Sequence, residues 1–293
     1  DDAQGEILMS SRLRPGARED AAACGTIVFE AFKAISSEHG FPWDFPSVEV
    51  ATEVVSALLS TADVYAVVAE QAGKIAGSNF LDERNPIAGI GPISVDPAVQ
   101  NQTIGRRLMG DVMERAAKGP FGGVRLVQAA YHNRSLCLYT KLGFETRETL
   151  SKMNGTPPAV KLSGYAVRRA TAADLEECNR LCFRVHGHDR GGELRDAIAQ
   201  GRASVVEHLG QITAYATAVA FFGHAVAENN HGLKALIGAA QEYGGGGFLL
   251  PTRNGELFRW CLSNGLRLVH QMTLMTTGLY NEPAGSWLPS VLY

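Results

Sequence analysis

A helix that crosses a bilayer needs roughly 20 consecutive apolar residues, and the sequence has no such run. The longest apolar stretch, 212–227, contains His224 and reads as strands. A basic excess is also missing. Twenty-seven Lys and Arg stand against 30 Asp and Glu, a net charge of −3, which excludes the electrostatic footprint of a nucleic-acid binder. Cysteine is scarce, with five residues at 24, 137, 178, 182 and 261. An odd number in no secreted-type spacing excludes a disulfide framework and predicts free thiols in a reducing, cytoplasmic setting. Residues 1–10 lack the basic-then-apolar pattern of a secretory leader, and residues 1–8 read as an extension outside the fold. What is present is ample material for a core. The chain is 45% hydrophobic and 19% charged over 293 residues, which excludes disorder and, at about 150 residues per domain, predicts two domains.

The chain repeats itself. Arg14, Asp20, Cys24 and Phe29 recur as Arg168, Asp174, Cys178 and Phe183 at a constant offset of 154 positions. A second match sets Val67-Val68-Ala69-Glu70 with Gly73-Lys74-Ile75 against Val205-Val206-Glu207 with Gly210-Gln211-Ile212. Each is a strand, a glycine-bearing tight turn and a returning strand, the signal of a β-hairpin. A third pairs Asn133, Leu136 and Tyr139 with Asn254, Leu257 and Trp260, each set on a helix ending at a glycine, Gly143 or Gly265. Three matches in the same order predict two related α/β units at 11–152 and 165–293, joined by a linker at 153–164.

Apolar periodicity predicts the order of the first unit: strand 11–15, helix 18–36, an aromatic loop, helix 47–60, hairpin 64–81, strand 88–95, helix 103–118, strand 123–129, helix 133–142 and strand 143–150. The strand–loop–helix segment 91–109 is a candidate anion site. A helix N-terminus there exposes unpaired N–H groups and the positive end of the dipole. Gly105 lets backbone approach a ligand closely, and Arg106 and Arg107 add charge. An ordinary connection accounts for the segment equally well.

Two runs go further. Gln100-Asn101-Gln102-Thr103-Ile104-Gly105 is similar to the phosphate loop Gln/Arg-x-x-Gly-x-Gly/Ala, with Thr103 at the first glycine position. Asn133-Arg134-Ser135-Leu136-Cys137-Leu138-Tyr139-Thr140-Lys141-Leu142-Gly143-Phe144 is similar to Asn-x-x-Ala/Ser-x-x-Leu-Tyr-x-x-Leu-Gly-Phe, with one shift at the Leu. Together they resemble the GNAT superfamily of acetyl-CoA-dependent N-acetyltransferases, strongly over 11–150 and weakly over 165–276. The resemblance implies two tandem α/β (α+β) units, each a mixed, mostly antiparallel twisted sheet flanked by helices. It implies acetyl-CoA as cosubstrate and no metal. Backbone of Ile93, Ser94 and Val95 would pair with the pantetheine arm. Residues of the Gln100–Arg106 loop, Asn101, Gln102, Thr103, Ile104 and Gly105 among them, would hold the pyrophosphate, and Asn133 and Ser135 would contact the cofactor. A β-branched Thr103 fits this loop if φ stays negative, its hydroxyl then capping the helix or meeting a phosphate oxygen.

Tyr139 would lie near the thioester sulfur and act as general acid. Attack of an amine on a thioester expels a thiolate, and a phenol of pKa about 10 is a competent donor to it. The base is not identified; Asp82, Glu83, Glu38 and His39 are candidates, each equally explained as a solvated loop charge. The loop His39–Pro46, with Phe41 and Trp43 among three aromatics held by two prolines, forms a rigid apolar surface. With Asp44, Asp82 and Glu83 it suits an amine with an apolar body; a plug against the second unit explains it as well.

The second unit departs where chemistry needs it. Trp260 stands at the Tyr139 position and cannot protonate a thiolate, and Glu228 puts an acid where the anion would sit. The unit reads as catalytically silent. Cys178, Cys182, His186 and His188 have a metal-like spacing, but Cys24 recurs at Cys178 without a His partner, which favours core packing. Three readings stand: an N-acetyltransferase acting on a small amine, a CoA-binding or metabolite-sensing protein, and an interaction module. The resemblance implies acetyl-CoA and an amine as partners, and the expectation is no nucleic acid and no membrane, in a monomer or homodimer.

Overall fold

A computed structural model describes residues 11–100 and 103–292; the expectations for residues 1–8, Asn101 and Gln102 lie outside the described residues. The first half runs β1 (Arg12–Pro15), α1 (Ala21–Glu38), α2 (Val48–Ser60), β2 (Val64–Gln71), β3 (Lys74–Asp82), β4 (Ile87–Ile90), β5 (Ser94–Val95), α3 (Ile104–Lys118), β6 (Gly123–Ala129), α4 (Asn133–Lys141) and β7 (Glu145–Asn154). The second runs β8 (Tyr165–Arg169), α5 (Leu175–His186), α6 (Gly191–Ala199), β9 (Ser204–His208), β10 (Gln211–Ala216), β11 (Ala225–Ala227), α7 (Asn230–Ala239), β12 (Phe248–Pro251), α8 (Gly255–Ser263), β13 (Arg267–Gly278) and β14 (Ser286–Leu288). None of the described helices is long and apolar enough to cross a membrane.

The matched residues of the repeat make the same bonds in each half. Arg14 grips Asp20 with two nitrogens at 2.8 and 2.9 Å and reaches Glu70 at 2.8 Å. Arg168 grips Asp174 at 2.8 and 2.8 Å and reaches Glu207 at 2.7 Å. Each aspartate also accepts the backbone N–H three residues earlier, from Ala17 at 2.8 Å and Thr171 at 2.7 Å, so it fixes the entry to α1 or α5. Both hairpins turn through a left-handed pair, Ala72-Gly73 and Leu209-Gly210, the conformation that matches strand twist and favours glycine second. Helices α4 and α8 both end on a left-handed glycine, Gly143 and Gly265. The next residue, Phe144 or Leu266, is buried and bonds back to Tyr139 or Cys261, each at 3.0 Å.

Two mostly antiparallel sheets form, as expected, but their strands are not divided by half. Nine strands form one sheet in the order β1-β2-β3-β4-β6-β13-β7-β12, with β5 also on β3, and five form another, β14-β11-β10-β9-β8. Strand β13 of the second half lies between β6 and β7 of the first, and β7 lies between β13 and β12 of the second. Met272 at the seam faces Ala129 on one side and Leu150 on the other. The halves thus exchange their last strands reciprocally, and β7 pairs with β13 antiparallel along nearly its whole length.

The predicted strand over 88–95 is two segments. β4 pairs in parallel with β6 as far as Ile90 and Leu126; the chain then bends at Gly91-Pro92, and β5 stays on β3 through Gly77↔Val95 and Ser78↔Ser94. Beyond the bend β5 and β6 part. Helices α3 and α4 cover one face of the large sheet, where Leu108, Val112 and Tyr139 pack on Val67, Leu81 and Leu126. Helices α1 and α2 cover the other face over β2 and β3, where Val28 and Val55 meet Val68 and Phe80. The rest of that face is covered by the second half, with Phe221 and Trp287 on Ile87, Leu150 and Leu274. Cys178 and Cys182 lie in the apolar core of the second half with Leu181 and Val185.

Asp20 and Asp174 are held below the ordinary carboxylate range, first of all by their bonds from Arg14 and Arg168. A depressed folded-state pKa contributes stability above the unfolded value, about 4, and that contribution is lost as pH falls through the folded value. Replacing either aspartate by alanine is expected to cost about 1–2 kcal/mol at neutral pH, with a smaller difference from the parent chain below pH 4, as read from urea unfolding across pH.

Candidate active site

Where β5 and β6 part, a cavity of about 900 Å3 opens. It passes through the sheet, from the start of α3 on one face to α1 and the second half on the other. Ile93, Ser94 and Val95 line one side of the split, and Leu126, Val127 and Gln128 the other. Gln100, Thr103, Ile104, Gly105 and Arg106 line the end at α3. Ser135 and Tyr139, four residues apart on one face of α4, line it too, as does Asn133 at the start of that helix.

The loop before α3 takes a geometry the sequence reading did not expect. Thr103 has φ +66° and its side chain makes no capping bond to the helix; it adopts the left-handed conformation that favours glycine. A non-glycine residue there is strained by about 1–3 kcal/mol. Gly105 is different. A Cβ at this position would meet only Val95, at an ordinary 3.6 Å, so the fold itself has room for a larger residue and the bare backbone is left facing the cavity. Arg107 turns away from the loop and donates to Ser11, which leaves Arg106 as the helix-start cation on the cavity.

Tyr139 is 6% exposed and packs edge-on to Phe144, with ring centroids 6.3 Å apart. Burial pushes its phenol up to about 12, with a smaller opposing effect of a bond to Ser135. The phenol therefore keeps its proton at neutral pH. His132, which also lines the cavity, bonds Ser135 Oγ through Nδ1 at 2.8 Å. Desolvation first, and the charge of Arg134 second, hold that imidazole below its ordinary range, so it is neutral and able to accept a proton at pH 7.

Gln128 is the residue the sequence reading missed. It is 6% exposed, lines the cavity, and neither its amide nitrogen nor its oxygen has a hydrogen-bond partner. The signal was its place in the alternation of β6, where Val124 and Leu126 share its face and are apolar. A buried, unsatisfied carboxamide costs about 1–3 kcal/mol unless something occupies the cavity beside it.

The proposed acceptor residues are corrected by the structure. Asp82 is bound by Arg84, whose guanidinium continues to Asp196 of the second half at 3.0 Å, and Glu83 is held by Arg115 at 2.6 and 2.7 Å. Neither lines the cavity, and each is paired with a neighbouring cation. Trp43 is 48% exposed on the outer side of its loop, with Lys33 over its ring at 4.5 Å. Phe41 sits behind the wall, stacked on Tyr131 at 4.5 Å; Tyr131 itself lines the cavity. Glu38, His39 and Asp44 do line it. Asp44 is buried against Lys152 of β7 at 3.2 Å and His270 of β13 at 3.7 Å. Burial raises its pKa, but those two partners outweigh it and keep the carboxyl below its ordinary range.

The corresponding slot of the second half is filled. Its strand β14 pairs with the outer edge of β11 through Val226↔Trp287 and lies against β12, where the first half opens its cavity. Asn254, the counterpart of Asn133, exchanges bonds with Asn230 at 2.8 and 3.1 Å, and Ser286 of β14 donates to Asn230 at 2.8 Å. Glu228 pairs with Arg184 at 3.0 Å. Among the described residues, no three metal-ligating side chains converge on a cation site.

Residues 62–146 match the acetyltransferase (GNAT) domain family. Comparison with curated protein sequences finds no match. Solved structures share the fold over nearly the whole chain. An acetyltransferase candidate from Pyrococcus horikoshii is 15% identical with a TM-score of 0.74, over 98% of this chain and 97% of that one. A GCN5-related N-acetyltransferase from Sphaerobacter thermophilus is 15% identical with a TM-score of 0.62, over 93% and 96%. A tandem GNAT protein from the clavulanic acid biosynthesis pathway is 15% identical with a TM-score of 0.57, over 92% and 98%.

Thr103→Gly removes the left-handed strain at the start of α3. It is expected to raise the unfolding free energy by about 1 kcal/mol, measured as a higher urea midpoint at unchanged slope; a lower midpoint would show that the threonine side chain makes contacts that outweigh the strain.

Proposed function

We propose that this chain, whose residues 62–146 form a GNAT acetyltransferase domain within a tandem GNAT fold, uses acetyl-CoA to acetylate a primary amine, with turnover confined to its first half. The observation that carries the reading is Tyr139, a protonated phenol buried on a cavity that opens where the sheet splits.

The residues present suit the donor. Peptide groups of Ile93 to Val95 face the split without a strand on that side, which suits the amides of an extended arm laid between β5 and β6. The start of α3 offers unpaired N–H groups, the bare backbone of Gly105 and the charge of Arg106 to a pyrophosphate. Gln128 offers a donor and an acceptor that have no partner within the protein. When bound, acetyl-CoA supplies an acetyl group activated as a thioester.

The chain's own groups then do three things. The apolar walls exclude water, which protects the thioester from hydrolysis and strengthens every polar contact inside. Tyr139 gives its proton to the departing sulfur as the amine nitrogen forms the C–N bond and the C–S bond breaks. The nitrogen sheds a proton in the same turnover, and a proton returns to the phenolate, so that amide and free thiol are the products. Glu38, His39 and His132 all border the cavity and are the groups available to take the nitrogen's proton. The second half, its slot filled by β14, takes no cofactor on this reading.

Calorimetric titration is expected to give one acetyl-CoA site per chain; two sites would overturn the silent second half, and none would overturn the assignment. Tyr139→Phe is expected to bind acetyl-CoA as the parent does and lose at least tenfold in thiol release. Unchanged turnover would remove Tyr139 from the mechanism and leave a CoA-binding sensor as the better reading. Because the phenol is pushed up to about 12, thiol release is expected to show no alkaline fall from this group up to pH 10. Gln128→Leu should move two measurements in opposite directions, stabilising the free protein by about 1–2 kcal/mol while weakening acetyl-CoA binding several-fold; weaker binding without the stability gain would count against a ligand-facing carboxamide.

A further inference from the structure

The end of the cavity away from α3 is built from both halves. Phe32 and Phe45 of the first half meet edge-to-face at 5.6 Å, and Phe221 and Phe222 of the second do the same at 5.6 Å. Met272 of β13 and Leu292 near the C-terminus complete the wall. The second half thus has a place in the first half's site without chemistry of its own.

The charge of this end is as informative as its apolarity. Among the described residues lining the cavity, the acids are Glu38 and Asp44. Asp44 already faces Lys152 and His270 at 3.2 and 3.7 Å, with its side chain 10% exposed; its charge is compensated before any ligand arrives. Glu38 is exposed, at the end of α1, and among the described residues it forms no salt bridge with Lys or Arg. One uncompensated carboxylate at the rim of an aromatic wall matches one ammonium. A polyamine or an aminoglycoside brings several positive charges, and burying the additional ones against this wall would leave them unpaired in a desolvated site.

Resting on the acetyltransferase reading, we propose that the acceptor is a primary monoamine with an aromatic or branched apolar body, and that Phe222 of the second half is a specificity-determining contact for that body. Phe222 is chosen because it is half-buried on the cavity, whereas Phe221 is a core residue with Lys152 over its ring at 4.4 Å.

The test measures thiol release from acetyl-CoA with 2-phenylethylamine, spermidine, kanamycin and a lysine-bearing peptide at matched concentrations. The expected result is a kcat/KM for 2-phenylethylamine at least tenfold above the other three. Phe222→Ala is expected to raise its KM at least fivefold while the calorimetric Kd for acetyl-CoA stays within twofold of the parent. Phe222→Leu, which keeps apolar volume, should recover most of that loss, and a melting curve for each variant reports whether it is folded. Preference for spermidine, kanamycin or the peptide overturns the proposal, as does a folded Phe222→Ala with an unchanged KM. If acetyl-CoA binds and only a polycation is acetylated, the acceptor class falls and the enzyme reading stands. If acetyl-CoA does not bind, both fall.

Discussion

The antiparallel pairing of β7 with β13 is the constraint on which the rest of the molecule depends. Each strand belongs to one half by sequence and completes the sheet of the other in space. Met272, Leu274 and Met275 from the second half are buried in the large sheet, as are Leu150 and Met153 from the first. Strands covered on both faces show continuous burial instead of alternation, and 150–153 and 272–276 have that pattern. Because β13 fixes the outer edge of β6, it also fixes one side of the split that β5 leaves open. The cavity is therefore a property of the whole chain, although the residues that suit acetyl-CoA come from the first half.

The energetics of the site run against those of the fold. Thr103 is held in a strained conformation, and Gln128 is a buried carboxamide with no protein partner. Each is a local cost, and each borders the same cavity. The Arg14–Asp20 and Arg168–Asp174 clamps, by comparison, lie at the entries to helices and outside the cavity lining. A protein under selection for stability alone would relax the first group and keep the second.

What the sequence revealed was what is local. Hairpin turns at Ala72-Gly73 and Leu209-Gly210, glycine stops at Gly143 and Gly265, and the extents of α3, β6 and α4 follow from turn chemistry and apolar spacing within a few neighbours. The repeated Arg, Asp and Glu were visible as matches because one bonding pattern was kept in both halves. The strand exchange was not visible, since β7 and β13 carry the same patterning and nothing in either names its partner. The acidic residues misled for a related reason. Asp82 and Glu83 are neutralised by Arg84 and Arg115, and a linear sequence does not say which carboxylate finds a cation first. Gln128 and the Asp44–Lys152–His270 cluster needed strand register and a tertiary fold before their burial could be seen.

The order of synthesis gives the exchanged strands a temporal meaning. Strand β7 ends at Asn154, while the neighbour it requires does not begin until Arg267. A growing chain therefore carries β6 and β7 as unpaired, apolar edges through the making of almost all of the second half. Such edges are templates for wrong pairing with other nascent chains. The helices of the first half and the β2–β3 hairpin can dock at once, but the large sheet closes only when β13 has been made. The first half is thus made before the second and yet completed by it.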